Sequence, residues 1–206
     1  MVKKIKVYKN FKISRSHKNS IILIGNFDGL HQGHQKLFKL ANKYKRKKLK
    51  IGVVTFDPIP KMFFNKGISN YRLSNLNQKL YLLKKFNVDF VINKKFNLKF
   101  SKVKAFDFVK NILCKNLKPK YIFVSNNFRF GNKREGSVLL LKKFQKKFNY
   151  KVINPNPLIK KNKVISSSII RKLLSSGNLR RANQYLGRNW CVEGKVEKGR
   201  KMGKKI

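Results

Sequence analysis

The sequence has 206 residues, of which 41% are hydrophobic, so it can form one sizeable core but not two large domains. It has no apolar run near the roughly 20 residues of a transmembrane helix, and its start has no signal-peptide pattern. The two cysteines, Cys114 and Cys191, lie outside any C-x-x-C motif and indicate reduced thiols. We therefore expect a cytoplasmic globular protein with no membrane partner.

The chain is strongly basic: 52 lysines and arginines stand against 7 aspartates and glutamates, giving a formal net charge of +45. The basic residues are spread over the whole chain, and lysine far outnumbers arginine, which specific phosphate and base recognition prefers. We therefore expect non-specific nucleic-acid binding as a by-product of charge; the sequence indicates no oligomeric state. No two of the few acidic residues are closer than four positions in sequence, which argues against carboxylate-pair hydrolysis and a carboxylate two-metal site.

In chain order, short apolar runs alternate with segments of helical periodicity. Strands are predicted at Ile21–Ile24, Ile51–Phe56, Val88–Ile92, Tyr121–Val124 and Lys151–Ile153. Helices are predicted between them at about Leu30–Tyr44, Asn75–Phe86, Lys102–Asn116 and Val138–Phe148. The last three follow Ser74, Ser101 and Ser137, which are candidate N-caps. This alternation predicts an α/β fold with a doubly wound parallel sheet, which binds ligands at the carboxyl ends of its strands.

The C-terminal part is predicted to be helical and then irregular. Ile169–Leu174 and Leu179–Leu186 have helical spacing, and Gly187 can end the second of these helices. The residues of Cys191–Val196 alternate as in a strand, and the segment after them is basic and contains glycines. We expect residues 190–206 to be frayed or loosely docked.

The most informative motif runs from Gly25 to His34 and reads Gly-Asn-Phe-Asp-Gly-Leu-His-Gln-Gly-His. It joins a predicted strand to a predicted helix, where free backbone N–H groups and the positive end of a helix dipole favour phosphate. His31 and His34 share one helix face, and Gly33 leaves room for a ligand near the backbone. The alternative is a capped helix with two surface histidines. In its strand–turn–helix context the motif indicates handling of nucleotide phosphates.

A second candidate phosphate site is Ser166–Ser168 followed by Arg171. Hydroxyl groups, backbone N–H groups and one arginine at a helix start could bind the far phosphates of a triphosphate. The alternative is an ordinary N-cap beside a solvated arginine.

Two further loops follow predicted strands and should reach the same edge of the sheet. Asn126–Gly131 is a turn in which Asn127 could offer its oxygen to Mg²⁺ or its nitrogen to phosphate. Thr55–Pro60 could be a stiff exit from a strand, or its ring and prolines could form an apolar platform for a flat ligand.

Taken in order, these motifs resemble the bacterial bifunctional riboflavin kinase/FAD synthetase family over almost the whole chain. The matching segments are Gly25–His34, Thr55–Pro58, Arg72–Leu73, Asn127–Gly131, Arg134, Gly136, Ser166–Ser168, Ile170–Arg171, Gly177–Leu179 and Tyr185–Arg188. The resemblance implies a Rossmann-like nucleotidyltransferase of the H-x-G-H type, which makes FAD from FMN and ATP.

The resemblance also implies two unequal domains. Residues 1–187 would form the FMN adenylyltransferase domain, and residues 188–206 would be the truncated start of a riboflavin kinase β-barrel. The sequence stops before the G-F-P-T-A-N stretch that carries the family's kinase contacts, so we expect no conversion of riboflavin to FMN.

Four positions differ from the family pattern. Ile59 stands where the family usually has histidine, and Val164 stands where it often has a basic residue. Ser168 replaces threonine but keeps a hydroxyl group, and Ser137 replaces an acid. The change at residue 59 would weaken flavin binding and the change at residue 164 would weaken phosphate binding.

The resulting hypothesis is an FMN adenylyltransferase with ATP and FMN as substrates and Mg²⁺ as cofactor. The predicted catalytic residues are His31, His34, Asn127 and Arg171, with Asn127 also near the metal. The predicted ATP-binding residues are Gly25, Asn26, Phe27, Asp28, Gly33, Ser167 and Ser168. The predicted FMN-binding residues are Phe56, Pro58 and Phe128. The alternatives are an H-x-G-H adenylyltransferase for another nucleotide, and a decayed remnant that binds RNA non-specifically.

Overall fold

A six-stranded parallel sheet forms the centre of the structure, a computed structural model that describes residues 5–45, 49–65, 67–68, 71–160 and 162–196. Ten strands are found in these ranges: β1 (Lys6–Tyr8), β2 (Ile21–Ile24), β3 (Ile51–Asp57), β4 (Phe90–Lys95), β5 (Tyr121–Phe123), β6 (Arg129–Phe130), β7 (Gly136–Ser137), β8 (Lys151–Ile153), β9 (Ile159–Lys160) and β10 (Lys163–Val164). The large sheet has the order β1-β4-β3-β2-β5-β8, with every pair parallel. Two antiparallel pairs, β6 with β7 and β9 with β10, lie outside it.

Helices connect these strands and cover both faces of the sheet. The α-helices are α1 (Gln32–Tyr44), α2 (Pro60–Phe64), α3 (Leu76–Lys84), α4 (Leu98–Ser101), α5 (Ala105–Asp107), α6 (Val138–Phe144), α7 (Ser167–Ser175) and α8 (Leu179–Leu186). A π-helical segment, Phe108–Leu117, continues α5, and short 3₁₀ turns occur at Arg15–His17, Asp28–Leu30 and Asn132–Arg134. The predicted α/β fold with a parallel, doubly wound sheet is confirmed.

The sheet is buried on both faces, as the apolar runs of its strands require. Side chains alternate along each strand, so Ile22 and Ile24 pack toward the π-helical segment and α6. Ile21 and Leu23, from the same strand, pack toward α1 and α3 on the other face. A third cluster joins Leu73 to buried residues of α7 and α8, which attaches these C-terminal helices near the start of α3.

Tertiary contacts move several predicted boundaries. The predicted strands are all present, but β1 was missed because it is only three residues long and half-buried at the sheet edge. The prediction that Ser74 is the N-cap is wrong, because Asn75 caps α3 in a capping box with Gln78. Ser101 is also not a cap, since it lies at the end of α4. Ser137 does accept a hydrogen bond from the Leu140 N–H group and caps α6, as predicted.

The C-terminal segment differs from the prediction. Cys191–Val196 forms no strand: its one backbone contact to a side chain is that of Cys191 with Gln78 of α3, and no strand of the described residues pairs with it. The Trp190 backbone N–H donates to Asn183 Oδ1 at 2.7 Å, and its Nε1 donates to the Leu73 carbonyl oxygen at 3.1 Å. The segment is therefore docked on α3 as well: the Cys191 carbonyl oxygen accepts from Gln78 Nε2 at 3.1 Å, and Glu193 Oε2 accepts from Asn75 Nδ2 at 3.4 Å. The rest of the predicted barrel remnant, residues 197–206, lies outside the described residues.

Among the described residues, no helix is both long enough and apolar enough to cross a membrane.

Candidate active site

A cavity of about 650 Å³ opens at the carboxyl ends of the central strands. Its wall is formed by the turn after β2, the first turns of α1, the loop after β5 and the start of α7. The predicted site residues that line it are Asn26, Asp28, His31, Gly33, His34, Asn127, Ser167, Ser168 and Arg171. The fold therefore brings the two candidate phosphate motifs, which are more than 130 residues apart in sequence, to one cavity.

Gly25 and Phe27 support this cavity from behind and are not part of its lining. The Gly25 N–H group donates to the Val54 carbonyl oxygen at 3.1 Å, which continues the pairing of β2 with β3. Phe27 has a positive φ of 46°, is buried, and places its ring 5.3 Å from that of His34 and 5.1 Å from that of Phe38. The Phe27 ring therefore packs beneath the histidine pair, and a direct contact of these two residues with ATP stays a prediction.

The two histidines are held by the start of α1. His31 is the N-cap residue, and its Nδ1 accepts a hydrogen bond from the His34 backbone N–H at 3.4 Å. An accepting Nδ1 places the proton of the neutral ring on Nε2, which leaves that nitrogen as a donor. His34 Nδ1 is buried and has no hydrogen-bond partner among the described residues.

Gly33 allows this arrangement because no larger residue would fit without displacement. A Cβ atom at Gly33 would lie 3.1 Å from the His31 ring and 3.2 Å from the Ile165 carbonyl oxygen. The glycine therefore permits the close approach of the His31 ring and of the segment before α7.

Both imidazoles are held in their neutral form. Burial, followed by the positive charges of Arg171 and Arg188, lowers the pKa of His31 from 6.5 to about 4. Burial, followed by electrostatic interaction with His31 and by the positive charge of Lys79, lowers the pKa of His34 well below its ordinary value. Near neutral pH the pair can therefore donate hydrogen bonds, but it carries no formal charge.

Asp28 connects the first motif to the second. Its Oδ2 accepts from Arg171 Nη2 at 2.6 Å, and its Oδ1 accepts from the Leu73 N–H group at 3.0 Å. The Ser167 hydroxyl donates to the Asp28 backbone oxygen at 2.9 Å, which ties α7 to the same turn. Asp28 is buried and fully engaged in these contacts, so its place in the structure is that of an anchor.

Arg171 is held on three sides. Besides Asp28, it donates from Nε to the Tyr71 carbonyl oxygen at 2.6 Å and stacks on the Tyr71 ring at 3.6 Å. It still forms part of the cavity wall, beside Ser167 and Ser168. Tyr71 also lines the cavity and was missed by sequence reasoning, because a lone tyrosine in a loop gives no signal.

Asn127 lies exposed on the opposite wall, where its Oδ1 accepts from the Ser125 hydroxyl at 2.9 Å. Among the described residues, no three histidine, cysteine, aspartate or glutamate side chains form a group that could hold a metal ion. A single amide oxygen fits Mg²⁺ that is held mainly by water and phosphate oxygens, which is how this ion usually binds beside nucleotides.

A second, aromatic cavity of about 150 Å³ lies next to the first. The predicted FMN-binding residues Phe56 and Phe128 line it, whereas Pro58 lines neither cavity. Sequence reasoning missed its other aromatic residues, which are Phe64, Phe96, Phe100, Phe108 and Phe130. The Phe128 and Phe130 rings stack with centroids 5.5 Å apart. With 17 phenylalanines in the chain, no local signal separates these from core residues.

Arg134 lines both cavities and so marks where they meet. Two positions that differ from the family pattern, Ile59 and Val164, lie in the wall of the larger cavity, and Ile59 is almost fully buried there. These substitutions are therefore placed where they could affect ligand binding directly.

Comparison with known proteins agrees with this geometry. A family model described as FAD synthetase matches residues 13–169. The chain is 40% identical over 196 residues to the bifunctional riboflavin kinase/FMN adenylyltransferase of Buchnera aphidicola from Acyrthosiphon pisum, covering 93% of this chain and 62% of that protein. It is 30% identical to the FAD synthetase of Listeria monocytogenes, covering 92% of this chain and 77% of that protein.

A solved structure described as a macrolide-efflux protein from Streptococcus pneumoniae shares the fold, with a TM-score of 0.83 and 28% sequence identity, covering 98% of this chain and 66% of that one. The chain spans about six-tenths of the length of the bifunctional relatives that it matches. With three-quarters of its residues matched by the family model, the chain belongs to the FAD synthetase family.

Proposed function

We propose that this chain is an ATP-dependent FMN adenylyltransferase, with the activity in residues 1–187. One observation carries the proposal: the cavity that holds the neutral histidine pair adjoins the aromatic cavity, and Arg134 lines both. A flat aromatic ligand fits a cavity of phenylalanines, and the adjoining cavity offers donors for phosphate. FMN combines both chemistries in one molecule.

In the reaction, a phosphate oxygen of FMN attacks the α-phosphorus of ATP in line, a new P–O bond forms, and pyrophosphate leaves. A phosphate is already a competent nucleophile at neutral pH, so no general base is required. The protein must align the two phosphates and stabilise the charge that develops on the non-bridging and leaving oxygens.

His31 and His34 would donate hydrogen bonds to the ATP phosphates. The Nε2–H group of His31 is set as a donor by the contact of its Nδ1 with the backbone. The Phe27 ring behind His34 and the neighbouring His31 ring limit movement of both imidazoles. Preorganised donors of this kind act without reorganisation at the moment of reaction.

The start of α7 would bind the β- and γ-phosphates. Ser167 and Ser168 lie in its first turn, where backbone N–H groups lack helical partners and the helix dipole is positive. Arg171, one turn further on, adds a fixed positive charge that is oriented by Asp28 and Tyr71. Gly33 and Asn26 would lie against the nucleotide on the other wall.

Mg²⁺ would be held mostly by the phosphates, with the Asn127 side-chain oxygen as one protein ligand. When bound, it would neutralise part of the charge of the triphosphate and of the departing pyrophosphate. Phe56 and Phe128 would contact the flavin rings in the aromatic cavity.

The test is to incubate the purified chain with FMN, ATP and Mg²⁺ and to follow FAD and pyrophosphate by chromatography. Riboflavin, nicotinate mononucleotide and phosphopantetheine serve as parallel substrates. FAD and pyrophosphate formed in equal amounts from FMN would support the proposal. A folded protein that makes no FAD, or that adenylylates another substrate faster than FMN, would overturn it.

A further inference from the structure

Lys79 is a buried cation beside the candidate active site, outside the residues assigned above. It lies in α3 with only 7% of its surface exposed. Its Nζ donates to the Asn26 carbonyl oxygen at 2.8 Å and to Thr55 Oγ1 at 3.3 Å. Lysine is rarely buried unless its charge is paired.

The ammonium group is stabilised mainly by neutral oxygens. Within the described part of the chain it forms no salt bridge, because the two nearby carboxylates are engaged elsewhere: Asp28 pairs with Arg171, and Asp57 pairs with Arg72. Burial and the charge of Arg72 lower the pKa of Lys79 from 10.5 to about 8, while Asp28 and Asp57 oppose this shift. His34 of α1 also faces it. Stability alone would favour an apolar residue here.

The contacts of Lys79 explain what the charge does. The Asn26 carbonyl oxygen accepts from Lys79 and also from Thr55 Oγ1, at 3.2 Å, so two donors hold one peptide group. This peptide leads from the end of β2 into the turn before α1, whose start carries His31 and His34, and Asn26 itself lines the cavity. Because Thr55 belongs to β3, the three groups fix the turn against the neighbouring strand.

The same hydrogen bond also affects the other end of the peptide group. A trans peptide is planar, so the Phe27 N–H group points away from the oxygen that Lys79 contacts. Donation to the carbonyl oxygen polarises the peptide and makes its N–H group a stronger donor. Among the described residues, the Phe27 N–H group has no acceptor.

We propose that the Lys79 ammonium is a positioning residue for adenylyl transfer, which holds the Asn26 peptide and Thr55 so that the turn presents His31 and His34 to the phosphates. This inference rests on the proposed function. Lys79 does not touch the substrate; it acts through the turn.

The first test compares Lys79→Met and Lys79→Arg with the wild-type protein, using FAD formation as the readout. Lys79→Met should lower kcat by about ten- to hundred-fold, the range expected for loss of a hydrogen bond from a charged group, with a smaller change in the KM for ATP. Its melting temperature should equal or exceed that of the wild type, because a buried charge has been removed. A purely structural lysine would not combine lower activity with unchanged or higher stability.

The second test is the pH profile. Wild-type kcat should fall as pH rises through about 8, the pKa of Lys79. Lys79→Arg stays charged, so it should keep activity to higher pH, and Lys79→Met should lack this alkaline fall. Lys84→Met, on the exposed side of the same helix, is the matched control and should behave as the wild type.

The outcomes separate this inference from the proposed function. A wild-type chain that makes no FAD from FMN and ATP contradicts the proposed function itself. The role of Lys79 alone is overturned if the wild-type chain makes FAD and the kcat of Lys79→Met is within three-fold of the wild-type value, with the same decrease in kcat at alkaline pH. If Lys79→Met fails to fold, Lys79→Arg decides. The proposal stands if Lys79→Arg is folded and keeps its activity to higher pH than the wild type, and it is overturned otherwise.

Discussion

The imidazole rings of His31 and His34 lie face to face, with centroids 3.7 Å apart and planes inclined by 22°. Two protonated rings at this separation would repel each other strongly in a buried site. The geometry therefore favours a neutral pair. It also means that each ring restricts the position of the other.

Removing either ring should nearly abolish FAD formation. His31→Ala and His34→Ala should each lower kcat by about 10²–10³-fold, the usual effect of losing one preorganised donor to a developing charge. Steady-state kinetics with FMN and ATP measure this. Lys39→Ala, on the exposed side of α1, is the control. Activity of either histidine variant within a few-fold of the wild type would contradict the assigned role.

Acid should destabilise the fold through His31. The unfolded chain binds the His31 proton below pH 6.5, whereas the folded chain binds it only below about pH 4. Between these values the unfolded state holds more protons, so the free energy of unfolding should fall as pH decreases from 6.5 to 4, on the order of 3 kcal/mol from this residue. Urea unfolding at several pH values measures it, and His31→Ala should reduce the slope in this window, leaving the part that His34 contributes. A variant with the same slope as the wild type would exclude His31 as the cause.

Breaking the anchor between the two phosphate motifs should cost stability. Asp28→Asn leaves the Arg171 guanidinium without its charged partner, and breaking a buried pair typically costs about 3–5 kcal/mol. Denaturant unfolding measures the loss, and Asp107→Asn, at an exposed carboxylate, is the control. The double variant Asp28→Asn/Arg171→Met should recover part of the loss. If the single variant were as stable as the wild type, Asp28 would not be an anchor.

A substitution in the aromatic cavity should change the KM for FMN and not the KM for ATP. Phe128→Ala removes an apolar wall and should raise the KM for FMN by about ten-fold, as expected for a partly buried aromatic contact. The KM for ATP should stay within two- to three-fold of the wild-type value, because Phe128 lies in the smaller cavity alone. Phe106 lies outside both cavities, so Phe106→Ala serves as the control. Equal effects on both substrates would mean that the substitution disturbs the fold and not a flavin site.

The high net charge predicts non-specific binding to nucleic acid. Affinity for RNA should decrease steeply as salt increases, because binding by scattered lysines is driven by release of counterions. Unrelated RNA sequences should bind alike. Fluorescence anisotropy over a salt series measures both properties, and affinity that persists at high salt for one sequence would indicate a specific RNA site.

The sequence and the structure agree where the relevant signal is local. The Gly25–His34 motif holds the turn after β2 and both histidines within ten consecutive residues, and the structure forms the predicted strand, turn and helix, although α1 begins at Gln32 with His31 as its N-cap and not at Leu30. The helix α8 has the predicted bounds, because its apolar spacing and the glycine at its end are adjacent. The two wrong N-cap predictions, at Ser74 and Ser101, show the limit of prediction from local sequence. Asn75, the next residue, caps α3 in place of Ser74, whereas the helix after Ser101 begins only at Ala105 and has no side-chain cap.

The sequence by itself determined the class of fold, the strand–turn–helix form of the Gly25–His34 motif and the family, because each depends on the order and spacing of neighbouring residues. Only the tertiary structure decided which distant groups meet. Arg171 and Asp28 are 143 positions apart, and nothing in either local segment predicts their contact. Lys79 is one of 52 basic residues, and only its burial beneath the Asn26 peptide distinguishes it from the lysines on the surface. Burial and the pKa shifts that follow from it are properties of the packed chain, since desolvation depends on every element that covers a side chain.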